Sequence, residues 1–293
     1  MITTVEEYLR ALRHDLTGSD AAVVQDALSD AREHLSTALA AAQESRPGVS
    51  EAQALAAIVD EFGTPEETAL AYREIERRTP VESKRAAPQR SALGRFFAVY
   101  ADARAWSALL YMVIAFETGS LYLVWAMTGT AFSAFFALFV FGLPFAVAFL
   151  LSIRALALLE GRLVEALLGV RMPRRRLFYP PDMKWREQLK ALVADEKTWL
   201  TLLYVAAQFV LGCVYVLLLL AALVFSFALV SVPISQEWLG EGIVMYGDAV
   251  FWPRWTYPLC VLGGLLLWTI FMHVARGIGR WHGRMAKSLL VRE

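Results

Sequence analysis

Few residues in this chain are able to do chemistry, and one of them stands in an unusual place. Residues 105–153 contain no Lys or Arg, and Glu117 is their only charge. Counted along a helix from Trp106, Glu117 lies about 16 Å inside, near the middle of a bilayer. An ionised carboxylate is costly there. It is therefore either a proton or cation site, with Gln208 lining the same path, or a protonated group hydrogen-bonded to Gln208 or Thr118 on packed helices. Cys213 and Cys260 both fall in apolar runs; they read as packing thiols, with a redox pair as the alternative, and two cysteines make neither a disulfide framework nor a tetrahedral metal site. His273 reads as interfacial. His282 stands on a basic stretch where pH sensing is one reading. No GxxxxGK[ST], HExxH, CxxC or GxSxG occurs, so no enzyme, metal or cofactor is expected.

These residues are positioned by a stretch that occurs twice. Residues 102–122 read DARAWSALLYMVIAFETGSLY and residues 195–215 read DEKTWLTLLYVAAQFVLGCVY. At an offset of 93, Asp102, Trp106, Tyr111, Gly119 and Tyr122 meet Asp195, Trp199, Tyr204, Gly212 and Tyr215. Arg154, Gly161 and Arg162 then meet Arg276, Gly283 and Arg284 at an offset of 122; the difference between the two offsets gives the second copy 29 extra residues. Internal repeats decide a fold, and this one reads as a duplicated membrane hairpin. Val210 stands where Glu117 would repeat, which weakens a functional reading of Glu117. The recurring tyrosines read as packing.

Composition separates two parts. Hydrophobic residues make up 57% of the chain, and the mean hydropathy is +0.46, too apolar for an ordinary soluble domain. Yet residues 1–78 hold fifteen Asp or Glu against seven Lys or Arg. This acidic segment reads as four short amphipathic helices. Thr3 or Thr4, Ser19 or Asp20, Ser50 and Thr64 supply the caps, Gly63 closes the third helix, and Leu70, Tyr72 and Ile75 face inward from the fourth. No secretory leader is expected, since the chain opens on an acidic amphipathic helix. TVEEYLRALRHDL, DALSDAREHL and IVDEFGTPEETALAY resemble the bacterial HAAS signalling domain over roughly residues 2–76. That resemblance implies a cytoplasmic helical module fused to membrane segments and associated with PadR-like transcriptional regulators.

Residues 79–91 form a Pro- and charge-rich linker before the membrane part, residues 92–293. The run 105–153 is long enough for two spans, with the turn expected at Thr128-Gly129-Thr130 and a kink at Gly142-Leu143-Pro144. In the second copy, an apolar run over 199–232 and a last span over 259–275 flank an insert, residues 233–258. Basic residues concentrate between the hairpins, which predicts cytoplasmic termini and an outward insert. Within the insert Trp238, Tyr246, Asp248 and Trp252 form a candidate surface for a cationic or amphiphilic ligand, or else an aromatic belt at the outer leaflet. Residues 243–246 and 249–252 read as a short hairpin. Arg276, Arg280 and Arg284 form one row of a basic extension suited to lipid phosphates, so anchoring to the bilayer is expected rather than nucleic-acid binding.

The hairpins, each followed by RALALLEGRLVEALLGV or RGIGRWHGRMAKSLLV, resemble the sensor domain of bacterial signalling proteins over residues 95–291. No histidine-kinase core is expected, so output is expected from the N-terminal module. The expected fold is all-α: an acidic helical module plus a four-span domain of two repeated hairpins in the inner membrane. The expected function is to relay a membrane or envelope condition to a cytoplasmic partner such as a PadR-like regulator. The alternative is a transporter or an accessory subunit of one, which needs a homo-oligomer because four spans make a narrow bundle.

Overall fold

The structure is a computed structural model describing residues 2–46, 48–78, 91–136, 138, 142–174, 184–245 and 248–291. The chain divides into two compact units, one of Met1–Arg85, Ala126–Tyr204 and Met285–Glu293, the other of Ala86–Trp125 and Val205–Arg284.

In the first unit, α1 (Val5–Asp15), α2 (Ala21–Ser45), α3 (Glu51–Phe62) and α4 (Pro65–Arg78) form the acidic module. Thr4 caps α1 and Asp20 caps α2, each through its side-chain oxygen. Glu7 and Glu67 reach back to the backbone N–H groups of Thr3 and Thr64, and these hydrogen bonds hold both carboxyls below the usual carboxylate range. Gly63 ends α3 at φ 107°, a conformation that favours glycine. The core is a continuous cluster of Tyr8, Leu12, Leu16, Leu35 and Leu55, none with any exposed surface. Tyr8 is tied at both sides of the α3–α4 turn: its hydroxyl donates to the Gly63 carbonyl at 2.9 Å and meets Thr68 Oγ1 at 2.9 Å. Burial pushes the Tyr8 phenol up. The expectation for α4 is corrected in part. Leu70 and Ile75 are exposed, because the inward row of α4 is Pro65, Ala69 and the half-buried Tyr72.

The long helices follow: α6 (Ala103–Phe136), α7 (Gly142–Leu168), α9 (Glu196–Glu237) and α10 (Tyr257–Leu290), with the short α5 (Ala92–Phe97) and α8 (Trp185–Ala194) ahead of α6 and α9. Among the described residues three stretches are long and apolar enough to cross a membrane: Ala103–Phe136, Glu196–Glu237 and Arg254–Leu290. The first turn differs from expectation. α6 runs through Gly129 to Phe136, and α7 begins at Gly142, so Gly142-Leu143-Pro144 starts a helix rather than kinking one. Gly129 is there for close approach: a Cβ would sit 2.1 Å from the Phe149 ring.

The insert also differs at its start. α9 continues through Pro233 to Glu237. Pro233 has no N–H to give the Leu229 carbonyl four residues back, and the helix nonetheless runs on for one more turn. Among the described residues one two-stranded antiparallel ribbon follows, β1 (Ile243–Met245) with β2 (Asp248–Val250), in the register Ile243 to Val250.

Candidate functional site

Helices α6 and α9 are each anchored at their start by one aspartate and one tryptophan. At α6, Asp102 Oδ1 accepts from the Arg104 N–H at 3.0 Å, and Trp106 Nε1 donates back to Tyr100 O at 2.9 Å. At α9, Asp195 Oδ1 accepts from the Lys197 N–H at 3.2 Å, and Trp199 Nε1 donates to Val193 O at 2.9 Å. These pairs are the residues aligned at offset 93. The second oxygen of each aspartate holds an arginine: Arg276 Nη1 lies 2.9 Å from Asp102, while Arg154 is clasped by Asp195 and by Thr198 Oγ1. Each carboxylate thus caps a helix and neutralises a cation brought in by another helix, a use of one group that suits a low-dielectric edge.

In the second unit, two glycines let α6 and α9 touch backbone to backbone. A Cβ on Gly119 would meet Gln208 and Phe209 main-chain atoms at 2.8 Å, and one on Gly212 would meet Ala115 O and Phe116 Cα at 2.6 Å. Beside this crossing sits a buried polar cluster. The His282 ring from α10 has no exposed surface and engages a tyrosine at each nitrogen: Nε2 lies 2.6 Å from Tyr111 Oη on α6, and Nδ1 lies 2.9 Å from Tyr215 Oη on α9. The Gln208 amide donates to Tyr111 Oη at 3.2 Å. Three helices therefore converge on one imidazole.

The chemistry of this cluster is that of a hydrogen-bond chain with its partners already in place. A neutral imidazole donates from one nitrogen and accepts at the other, and tyrosine hydroxyls serve either need. Protonation makes both nitrogens donors. The hydroxyl that had donated to the ring must then turn its proton elsewhere, so a change in charge at His282 rewires its contacts with α6 and α9 together.

The first unit holds a related pair. Tyr204 Oη donates to Glu160 Oε1 at 3.3 Å, and Glu160 has no exposed surface. Tyr204 aligns with Tyr111 at offset 93, and Glu160 with His282 at offset 122. Sequence reading missed Glu160 and the burial and tyrosine partners of His282, treating the tyrosines as packing. The signal was available: a polar residue directly before each aligned glycine, Gly161 and Gly283, together with recurring tyrosines.

The residues singled out from sequence fare unequally. Gln208 is fully buried, whereas Glu117 is exposed on α6 between exposed Val113 and Leu121. The two are not brought together, and Thr118 Oγ1 instead bonds Ile114 O. A helix turns 100° per residue, so the face that packs Gly119 against α9 turns Glu117 away from it. Arg276 leaves its expected lipid-facing row to pair with Asp102, while Arg280 and Arg284 are exposed. His273 Nε2 meets Phe96 O at 2.9 Å. Cys213 and Cys260 are both free thiols.

In the insert, Trp238 is 86% exposed, Trp252 donates its backbone N–H to Gln236 Oε1 at 3.0 Å, and Arg254 forks onto Glu237 at 2.6 and 2.9 Å. Asp248 opens β2 opposite Met245. Tyr246 lies outside the described residues. Among the described residues no group of three or more His, Cys, Asp or Glu could hold a metal.

A family model described as "Putative sensor" matches residues 111–290, well over half of the chain. The chain belongs to this family. The matched stretch opens on Tyr111 and takes in Gln208, Tyr215 and His282, so the sensor domain contains the whole buried cluster. This is a sensor family and not an enzyme family. No curated protein and no solved structure matches the chain.

Proposed function

We infer that this membrane protein is a sensor whose membrane helices change state around His282 and pass that state to the acidic module of residues 1–78. The observation that carries the reading is the way the module is held. Within the first unit, Lys287 of α10 reaches Asp20, the cap of α2, at 2.5 Å, and the Arg174 N–H donates to the buried Asp26 of α2 at 2.6 Å. Arg174 is itself held by Glu165 of α7 at 2.9 Å, which keeps its guanidinium charged well above neutral pH. Helix α10 carries both His282 and, five residues later, Lys287, so the imidazole and the residue that meets the module belong to one helix. The likeness of residues 2–76 to the HAAS domain supports a cytoplasmic regulator of the PadR-like kind as the recipient.

Transcript levels test this reading. Cells carrying the intact chain are compared with cells carrying a chain without residues 1–78 and with cells carrying Lys287→Glu, which sets a carboxylate against Asp20. Both changes are expected to alter the same transcripts. If deletion leaves every transcript unchanged while the membrane part still accumulates, the relay does not exist.

The duplicated-hairpin topology belongs to the same proposal. It requires α7 to cross the membrane, although Arg154 stands only twelve residues into the helix; the clasp by Asp195 and Thr198 supplies that arginine with partners. Leu138, between α6 and α7, then faces outward like Trp238. Leu138→Cys and Trp238→Cys are expected to react equally with a membrane-impermeant thiol reagent applied to whole spheroplasts. Labelling of Trp238→Cys alone means that α7 does not cross.

A further inference from the structure

The acidic module contains a groove that neither the family match nor the relay explains. It lies among α2, α3 and α4, has a volume of about 400 Å³, and is lined by Asp30, His34, Phe62, Glu67 and Tyr72 with Ala71 at its edge. Its floor is aromatic. The exposed His34 ring lies flat on Phe62, with centroids 4.5 Å apart and an interplanar angle of 20°, and Phe62 is wedged in turn against the fully buried Tyr8.

Its walls are carboxylates fixed in place by the chain's own donors. Tyr72 Oη donates to Asp30 Oδ2 at 2.6 Å, across from α4 to α2. On the α4 side the Thr64 N–H and hydroxyl donate to Glu67 Oε2 at 2.8 and 3.0 Å, and these bonds keep Glu67 ionised. Neither carboxylate must be ordered when a ligand arrives, so little conformational entropy is lost on binding.

We propose that this groove docks an arginine side chain presented by a basic protein partner, the guanidinium stacking on the His34–Phe62 pair and bonding edge-on to Asp30 and Glu67. A planar cation that both stacks on aromatic faces and donates in its own plane matches flat floor and acidic walls at once. Lysine meets only the charge, and an apolar side chain meets neither the charge nor the in-plane acceptors. The excess of Asp and Glu over residues 1–78 adds a long-range attraction for a basic face. The proposal rests on the reading that the module is the output of the sensor.

The test uses the full chain in nanodiscs of neutral phosphatidylcholine, labelled with ¹³C at histidine Cε1. Only four histidines occur, and His34→Gln assigns the signal of His34. The probe is acetyl-Gly-Arg-Gly-amide, with the Lys and Gln peptides as controls. The His34 signal is expected to move saturably, with half-saturation at least about fivefold lower for the Arg peptide than for either control. Asp30→Asn is expected to raise that concentration about fivefold, and Ala71→Trp, which fills the groove from its edge, to abolish the shift. Equal half-saturation for the Arg and Gln peptides, or a wild-type response in Asp30→Asn, overturns the proposal.

The transcript comparison separates this from the relay. If deletion of residues 1–78 changes transcripts and Ala71→Trp does not, the groove is not the docking site and the relay stands. If deletion changes nothing, the relay fails, and the peptide titration still decides the groove.

Discussion

Gly212→Ala is expected to destabilise the membrane domain by about 3 kcal/mol, the upper end of what overpacking costs. The added Cβ would lie 2.6 Å from Ala115 O and Phe116 Cα. Those are main-chain atoms of the facing helix, and no rotamer change can move them aside. Helices α6 and α9 must therefore separate, which also pulls Tyr111 and Gln208 off their hydrogen bond. Gly119→Ala meets Gln208 backbone at 2.8 Å and is expected to cost nearly as much. Gly277→Ala is the control: a Cβ there meets nothing within 4 Å, and replacing glycine in a helix gains up to about 1 kcal/mol. Unfolding in mixed micelles by increasing SDS measures all three, and equal midpoints for the Gly212 and Gly277 variants would refute backbone contact at this crossing.

His282→Phe is expected to cost about 2 kcal/mol and to abolish signalling. The phenyl ring is slightly larger than the imidazole, so no cavity forms, but two tyrosine hydroxyls lose their buried partner. Hydrogen bonds between membrane helices average about 0.6 kcal/mol and reach about 1.7, so two of them at a fully buried residue set the scale. Coupling is the sharper readout. Tyr111→Phe added to His282→Phe should cost less than the sum of the single changes, because the second removes a hydroxyl already left without the ring. Strict additivity would mean that the Tyr111–His282 bond contributes nothing to stability.

How much of this was legible in the sequence depends on the kind of signal. The caps of the module were legible because Thr4, Asp20, Ser50 and Gly63 each act on backbone within a few residues. The matching spacing was legible, which is why Asp102 with Trp106 and Asp195 with Trp199 could be paired before any geometry was known. Tertiary partners were not. Whether Glu117 faces inward depends on which stripe of α6 packs on α9, and a helix apolar on all sides carries no periodicity to say so. Gly129 was indistinguishable from a turn glycine until Phe149 was found against it. His282 was hidden for the same reason: its partners come from residues 171 and 67 positions away.

The central claim is that a change at His282 reaches the module, and hydrogen exchange reads that most directly. Full-length protein and its His282→Gln variant, in identical nanodiscs, would be followed by mass spectrometry over residues 20–29, the segment of α2 that contacts Lys287 and Arg174. The account predicts that exchange there changes several-fold in His282→Gln and not in Gly277→Ala. Unchanged exchange over residues 20–29, alongside altered exchange around Tyr111 and Tyr215, would show that the buried cluster and the module do not communicate.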